Sequence, residues 1–264
     1  MIRSLHTAAT GMIAQQKQVD TVSNNISNVN TVGFKKSRVE FADLFYQVMK
    51  YAGTSTSATT THPTGIEVGL GVRPTAVTKI FDEGSYKYTS TDNFDVAIRG
   101  KGFFQIQMPD GTTAYTRNGE FTKDSEGNVV NADGYYLLPQ ITIPEGTVAI
   151  SIAYDGTVSV QLAGETNETQ IGQIELVNFI NPAGLHSFGD NLFLETGASG
   201  APVAGIAGQD GLGDIRHGFV ETSNVQLVEE MTDLITGQRA YEANSKTIQT
   251  ADSMLQTVNT LKRA

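Results

Sequence analysis

Two seven-residue repeats, one at each end, constrain this chain more than anything between them. Leu5, Met12, Val19 and Ile26 recur every seventh position, with Ala8, Val22 and Val29 in the companion slots. At the far end Leu227, Leu234, Tyr241, Ile248 and Leu255 keep the same spacing, flanked by Met231, Ala251 and Val258. Such a repeat marks a helix that buries a narrow stripe against another helix. Two long helices are therefore expected to pair as a coiled-coil-like domain and to bracket the rest of the chain.

Neither stripe makes a broad amphipathic face. Gln15, Gln16, Asn244 and Gln249 interrupt or border them, so a two-helix hairpin is marginal alone and neighbouring copies are expected to complete the packing. Tyr241 reads either as a contact between subunits or as packing within one chain. The first helix is expected from near Ser4, and its last turns carry Asn24, Asn25, Asn28 and Asn30 before Gly33. Asn is a poor helix former, and Gly33 suits a left-handed stop. Asn24 and Asn28, four apart, either fix register by hydrogen bonding across helices or simply fray the end.

From about Thr75 to Val220 the pattern is β. Asp110-Gly111, Asn118-Gly119, Glu126-Gly127, Asp133-Gly134 and Asp155-Gly156 are turn dipeptides with short apolar runs between them, which is hairpin spacing. Ile150, Ile152 and Tyr154 alternate with Ser151 and Ala153, and Val158 and Val160 alternate after the turn, so this pair is expected to turn an apolar face to a core. Residues 197–213, rich in Gly, Ala and Pro, read as a long loop, and Ser223 with Gln226 reads as a capping box opening the last helix. The expected class is α+β: residues 1–40 plus 221–264 as a terminal helical polymerisation domain, 41–75 as an extended connecting stretch, and 76–220 as a central, mostly antiparallel β domain.

Charge separates these regions. Residues 1–40 hold five basic and two acidic residues, 221–264 hold four and six, and 41–220 carry −11 of the net −10. An acidic middle argues against nucleic acid and anionic lipid, whereas nearly neutral helical ends suit packing against copies of themselves. The chain has no cysteine, which is compatible with an oxidising compartment. No apolar run approaches the ~20 residues of a membrane span. No secretory signal is expected either, because Gln15, Gln16 and Lys17 cut off the early apolar run.

Chemistry finds no foothold in the sequence. His6, His62, His186 and His217 lie far apart with no ligand spacing. Asp124, Glu126 and Gly127 place the glycine of a calcium loop wrongly. Ala201 stands where a nucleophile elbow around Ser199 needs glycine, and Gly100 and Gly102 give G-x-G without a strand-to-helix setting. No enzyme activity, cofactor, metal or small-molecule substrate is expected.

Three blocks carry a resemblance. SNNISNVNTVGFKKSRVEF (Ser23 to Phe41) resembles the amino-terminal signature of bacterial flagellar rod and hook axial proteins, and ETSNVQLVEEMTDLITGQRAYEANSKTIQTADSMLQTVNTL (Glu221 to Leu261) resembles their carboxy-terminal helix. DVAIRGKGFFQIQMPDGTTAYTRNGEF (Asp95 to Phe121) is similar to their central β motif. Between Phe41 and Pro74, FADLFYQVMKYAG followed by a Ser/Thr tract and HPTGIEVGLGVRP resembles the stretch that sets distal-rod members apart, with Ala52-Gly53 where the family pattern has Pro-Gly.

The resemblance implies a structural subunit that polymerises into a hollow, rigid drive shaft transmitting torque to the hook in bacterial motility. It implies partners too: the chain itself as a helical homopolymer, proximal rod and hook-side axial proteins, surrounding ring bushing proteins, and the flagellar type III export apparatus. The implied place is the flagellar basal body, in the distal rod from the periplasm toward the outer membrane. Leu5, Met12, Val19, Val22, Ile26, Val29, Leu227, Leu234, Tyr241, Ile248 and Leu255 are the expected subunit-interface residues, and Asn24 and Asn28 a polar register. Tyr46, Val48, Tyr51 and Gly53 belong to a stretch, residues 46–63, expected to stiffen the rod. The alternatives are a proximal rod or hook-type member, or a secreted β-domain adhesion module with a helical stalk.

Overall fold

The computed structural model describes residues 2–53, 63–90, 94–164 and 167–263, so the Ser/Thr tract from Thr54 to Thr61 lies outside the described residues. The class is α+β, with two paired terminal helices and a large antiparallel β region. The chain divides into two compact units: Met1–Ser27, Ser37–Thr78 and Gln226–Ala264 form the first, Asn28–Lys36 and Lys79–Val225 the second.

In the first unit α1 (Ile2–Ser27) packs along α2 (Leu227–Arg263). α2 begins later than its capping signal suggests. Ser223 Oγ accepts from the Val225 N–H at 3.3 Å, a local turn, and the first i→i−4 bond of the helix runs from Glu230 N to Gln226 O at 3.1 Å. Glu229 and Glu230 in the first turn supply the negative charge that a helix N-terminus favours. Two strand pairs complete this unit. β1 (Ser37–Asp43) pairs with β4 (Val72–Lys79), and β2 (Tyr46–Lys50) pairs antiparallel with β3 (Ile66–Gly69), Tyr46 opposite Gly69 and Val48 opposite Glu67.

The second unit is built on a sheet of nine strands among the described residues. In order across the sheet these are His186–Gly189, Leu192–Leu194, Thr113–Thr116, Phe104–Gln107, Tyr136–Leu138, Val129–Val130, Glu120–Lys123, Phe94–Arg99 and Asp214–His217. A three-stranded sheet follows: Thr147–Ile152, Thr157–Leu162 and Thr169–Gln173. Period-two patterning explains the core: Phe104 and Ile106 are buried while Gln105 and Gln107, which alternate with them, are half-buried. Val96, Ile98, Phe121, Leu137, Val158 and Ile215 join them in one cluster. A second, aromatic cluster packs edge to face, with Tyr115 and Phe179 ring centroids 4.8 Å apart and Phe103 and Phe179 5.8 Å apart.

Four of the five expected turns close hairpins, with Gly111, Gly127, Gly134 and Gly156 all at φ near +84° (83° to 85°). Asn118-Gly119 does not. The strands on either side of it pair elsewhere, and Gly119 is needed for close approach, since a Cβ there would clash with the Val96 carbonyl. Two further expectations are corrected. Tyr154 is exposed, because the turn closed by Gly156 N and Ala153 O starts there. Residues 197–213 are not all loop, because Val203–Ile206 pairs antiparallel with Glu175–Asn178. Gly33 takes the left-handed conformation expected of it, φ +71°, and a methyl group there would come within 2.6 Å of Asn118 N.

Candidate functional site

The helix pair is held by small and polar layers spaced seven residues apart. Asn25, 1% exposed, faces Glu230, 6% exposed, and its Nδ2 donates to Glu230 Oε2 at 3.0 Å. One heptad along in opposite directions on the two helices, Gly237 lies over Val19, Gln15 and Gln18. One heptad further, a methyl group at Gly11 would stand 2.9 Å from Asn244 Nδ2. The helices are therefore antiparallel in a fixed register, and glycine at two layers lets the backbones come close enough to leave room for an amide. Ala8, Ala14, Val22 and Ala251 are also buried. Asn25 reaches beyond the pair: Nδ2 donates to Ser37 O and Oδ1 accepts from Ser37 N, each at 2.9 Å, so one amide fixes α1, α2 and the start of β1.

Apart from Val22, the large apolar residues of the expected stripes sit at the margins of this seam. Val22 is buried; Leu5, Met12, Val19, Ile26, Leu234, Ile248 and Leu255 are half-buried; Leu227 and Tyr241 are exposed. Val29 is half-buried in the turn after α1. Asn24 is exposed, and Asn28 lies past the helix end, where it accepts from Thr31 Oγ1 at 3.2 Å. Asn25 makes a hydrogen bond that crosses between the helices. Glu230, Gly237, Asn244 and Ala251 do recur every seventh residue, but a search for apolar repeats passes over them.

Exposed apolar side chains cluster on the first unit. Val228, Met231 and Ile235 line one end of α2, Met254, Val258 and Leu261 the other, and Ile13 stands out from α1. An open groove of about 410 Å³ runs between Gln16 and Val19 of α1 and Gln238, Tyr241 and Glu242 of α2. The β2–β3 hairpin adds Tyr46, Met49, Tyr51 and Ile66, all exposed, with Val48 half-buried and Gly53 at φ +80°. Phe45, just before it, is 90% exposed. Apolar surface on this scale marks an interaction face.

The second unit buries a charge cluster that apolar patterning does not reveal. Lys35 and Glu221 are fully buried as side chains and Arg117 nearly so. Lys35 Nζ meets Glu221 Oε1 at 2.6 Å and donates to Asp82 O at 2.8 Å. Arg117 Nη2 donates to Gly100 O at 2.7 Å, while Nη1 is 3.4 Å from Glu221 Oε2. Gly84 N completes the carboxylate's partners at 2.9 Å. Burial pulls the Lys35 ammonium below its usual range, with Glu221 opposing, and pulls Arg117 down too. Together with the bond from Gly33 N to Glu221 O, 2.8 Å, the cluster ties segment 28–36 to the strand Phe219–Glu221. Among the described residues no group of three or more His, Asp or Glu side chains gathers as metal ligands.

Three family models match the chain. Residues 5–35 match the flagella basal body rod protein, residues 97–160 the flagellar hook protein FlgE/F/G D1 domain, and residues 216–261 the flagellar basal body rod FlgEFG protein C-terminal region. Full-length relatives agree. The chain is 50% identical over 265 residues to the flagellar basal-body rod protein FlgG of Borreliella burgdorferi, covering all of both chains. It is 48% identical over 262 residues to the protein of that name from Caulobacter vibrioides, covering 99% of this chain and all of the other. Over 261 residues it is 48% identical to the protein of that name from Buchnera aphidicola, again 99% of this chain and all of the other.

Proposed function

Because this chain belongs to the flagellar basal-body rod protein FlgG family, we propose that it is the structural subunit of the distal rod. It polymerises into a hollow, rigid shaft that carries torque to the hook. The observation that carries the mechanism is the helix pair itself: its seam is filled mainly by Ala, Gly and amide side chains with Val22 and Glu230, while Leu227, Val228, Met231, Ile235 and Tyr241 remain exposed on α2. Apolar residues that pairing within the chain leaves uncovered are available to pair between chains. Proximal rod proteins below, hook-side axial proteins above and ring bushing proteins around it are the proposed neighbours, with the flagellar type III apparatus as exporter. The proposed place is the periplasm toward the outer membrane.

The β2–β3 hairpin is assigned the stiffening role, with Tyr46, Val48 and Tyr51 as its contacts and Gly53 as its turn. Its exposed aromatic side supports that reading. Electron microscopy of the purified full chain tests the proposal: straight filaments are expected, and Val228→Asp with Met231→Asp should leave a monomer with unchanged β signal. Monodisperse wild-type particles under every assembly condition would overturn it.

A further inference from the structure

The second unit holds a cavity of about 500 Å³, within the range of ordinary ligand clefts, on the outer side of the charge cluster. One wall is cationic: Lys79, Lys101 and Arg117 all line it. Phe103, Phe179 and Ile180 supply apolar lining, and Ile180 is among the most exposed large apolar residues of the chain. The acid in the lining is Asp82, which is exposed.

Around the wall four cations, Lys35, Lys79, Lys101 and Arg117, stand against three carboxylates, the buried Glu221 and the exposed Glu83 and Asp82, with Glu83 acting on both Lys35 and Arg117. Arg117 Nε has no hydrogen-bond partner although it is buried. Lys79 is committed inward: it donates to Lys35 O at 3.3 Å and stands over the Phe34 ring at 4.9 Å. Lys101 is exposed at the mouth. Excess positive charge with a low-dielectric backing attracts an anion, and in a chain of net charge −10 that positive spot is selective. An apolar lining beside it disfavours a small hydrated ion and favours a carboxylate carried next to an aromatic ring.

The chain presents such a group. Among the described residues Phe45 is the most exposed large apolar side chain, and Asp43, two residues earlier at the end of β1, is exposed as well. We propose that the cavity receives the Asp43-Leu44-Phe45 segment of a second copy, Asp43 held by Lys101 in the field of Arg117, and Phe45 packed on the exposed Ile180. This deepens the polymer reading and rests on it.

The test separates the two. A fluorescent peptide of residues 40–47 is titrated onto the full chain at a concentration where sedimentation shows it monomeric, and assembly is measured apart, by sedimentation at high concentration. Saturable binding is expected, weakened tenfold or more by Lys101→Glu in the chain and equally by Asp43→Asn in the peptide. Phe45→Ala in the peptide should also weaken it severalfold, while sodium acetate competes only at far higher concentration. No binding, binding indifferent to Lys101→Glu, or equal binding of a scrambled peptide would overturn the assignment even if filaments form. Peptide binding without filaments would instead sink the rod reading and leave the cavity's preference standing.

Discussion

Asn25 concentrates at one side chain what the repeats spread over a helix. Its amide makes a hydrogen bond to Glu230 and two to the backbone of Ser37, and it is almost wholly buried. Asn25→Ala leaves those partners unsatisfied, at a cost of about 2–3 kcal/mol. The helical signal of the full chain should melt correspondingly earlier by circular dichroism. Glu230→Gln keeps an acceptor in place and should cost less than half as much; equal losses would argue against the bond as the cause. Tyr86 gives a pH prediction. Burial, then its hydrogen bond to Glu83, raises the phenol above its ordinary value of 10.0. The folded chain thus holds a proton that the unfolded chain releases, so this contribution is present below pH 10 and lost as pH rises above it. Urea unfolding at about pH 9 and about pH 11 should show Tyr86→Phe losing less stability across that interval than wild type. Neither residue stands out in the sequence. Asn25 is one of four asparagines in a short run, and nothing in that run marks it as the buried one beside the exposed Asn24.

Helices and strands differ in how much of them is local. The seven-residue repeats place α1 and α2 because helix periodicity is written within the element, and the β turns are legible where Asp-Gly or Glu-Gly joins strands that pair with each other. Asn118-Gly119 shows where this stops: Asn-Gly is as strong a turn signal, but strand Glu120–Lys123 pairs with Phe94–Arg99 and Val129–Val130 instead of its predecessor. Strand Val203–Ile206 escaped for a similar reason, since its partner Glu175–Asn178 lies far back in the chain. The Lys35–Glu221 pair, 186 residues apart, lay beyond any local pattern. Apart from Val22, large apolar residues marked the helix faces but not the seam, which glycine and amides mainly fill. That leads to a test of the seam. At Gly237 a Cβ would meet Val19 Cγ2 at 3.3 Å and nothing closer, so Gly237→Ala should be tolerated, with up to about 1 kcal/mol of helix propensity offsetting the crowding. Gly237→Leu should wedge the helices apart and abolish filaments in micrographs while the β signal stays unchanged. Filaments from the leucine variant would mean that assembly does not need this closely packed pair.

For the whole molecule the question is what separates a stiff shaft from a flexible joint built of the same helix pair and β motif. A helix seam alone permits sliding and bending, because its layers repeat every seven residues and each is worth little. Stiffness needs contacts placed away from the axis, where a given displacement strains them most. The β2–β3 hairpin has the right form: two short strands, about 17 Å long in the longer arm at the usual rise, with Tyr46, Met49 and Tyr51 exposed on it. The antiparallel pairing of Tyr46–Lys50 with Ile66–Gly69 makes it a folded arm. A folded arm loses less entropy on docking and holds its aromatic side chains in place beforehand. Deleting residues 46–63 removes β2 and leaves α1, α2 and their seam residues intact. The deletion chain should therefore still form filaments, with a persistence length several times shorter than wild type in micrographs. An equally straight filament would rule out the arm as the stiffening element, and loss of all filaments would make it a condition of assembly. Tyr46→Ala with Tyr51→Ala, which keeps the hairpin backbone, decides between those last two outcomes: if the aromatic contacts supply stiffness, this variant assembles and bends.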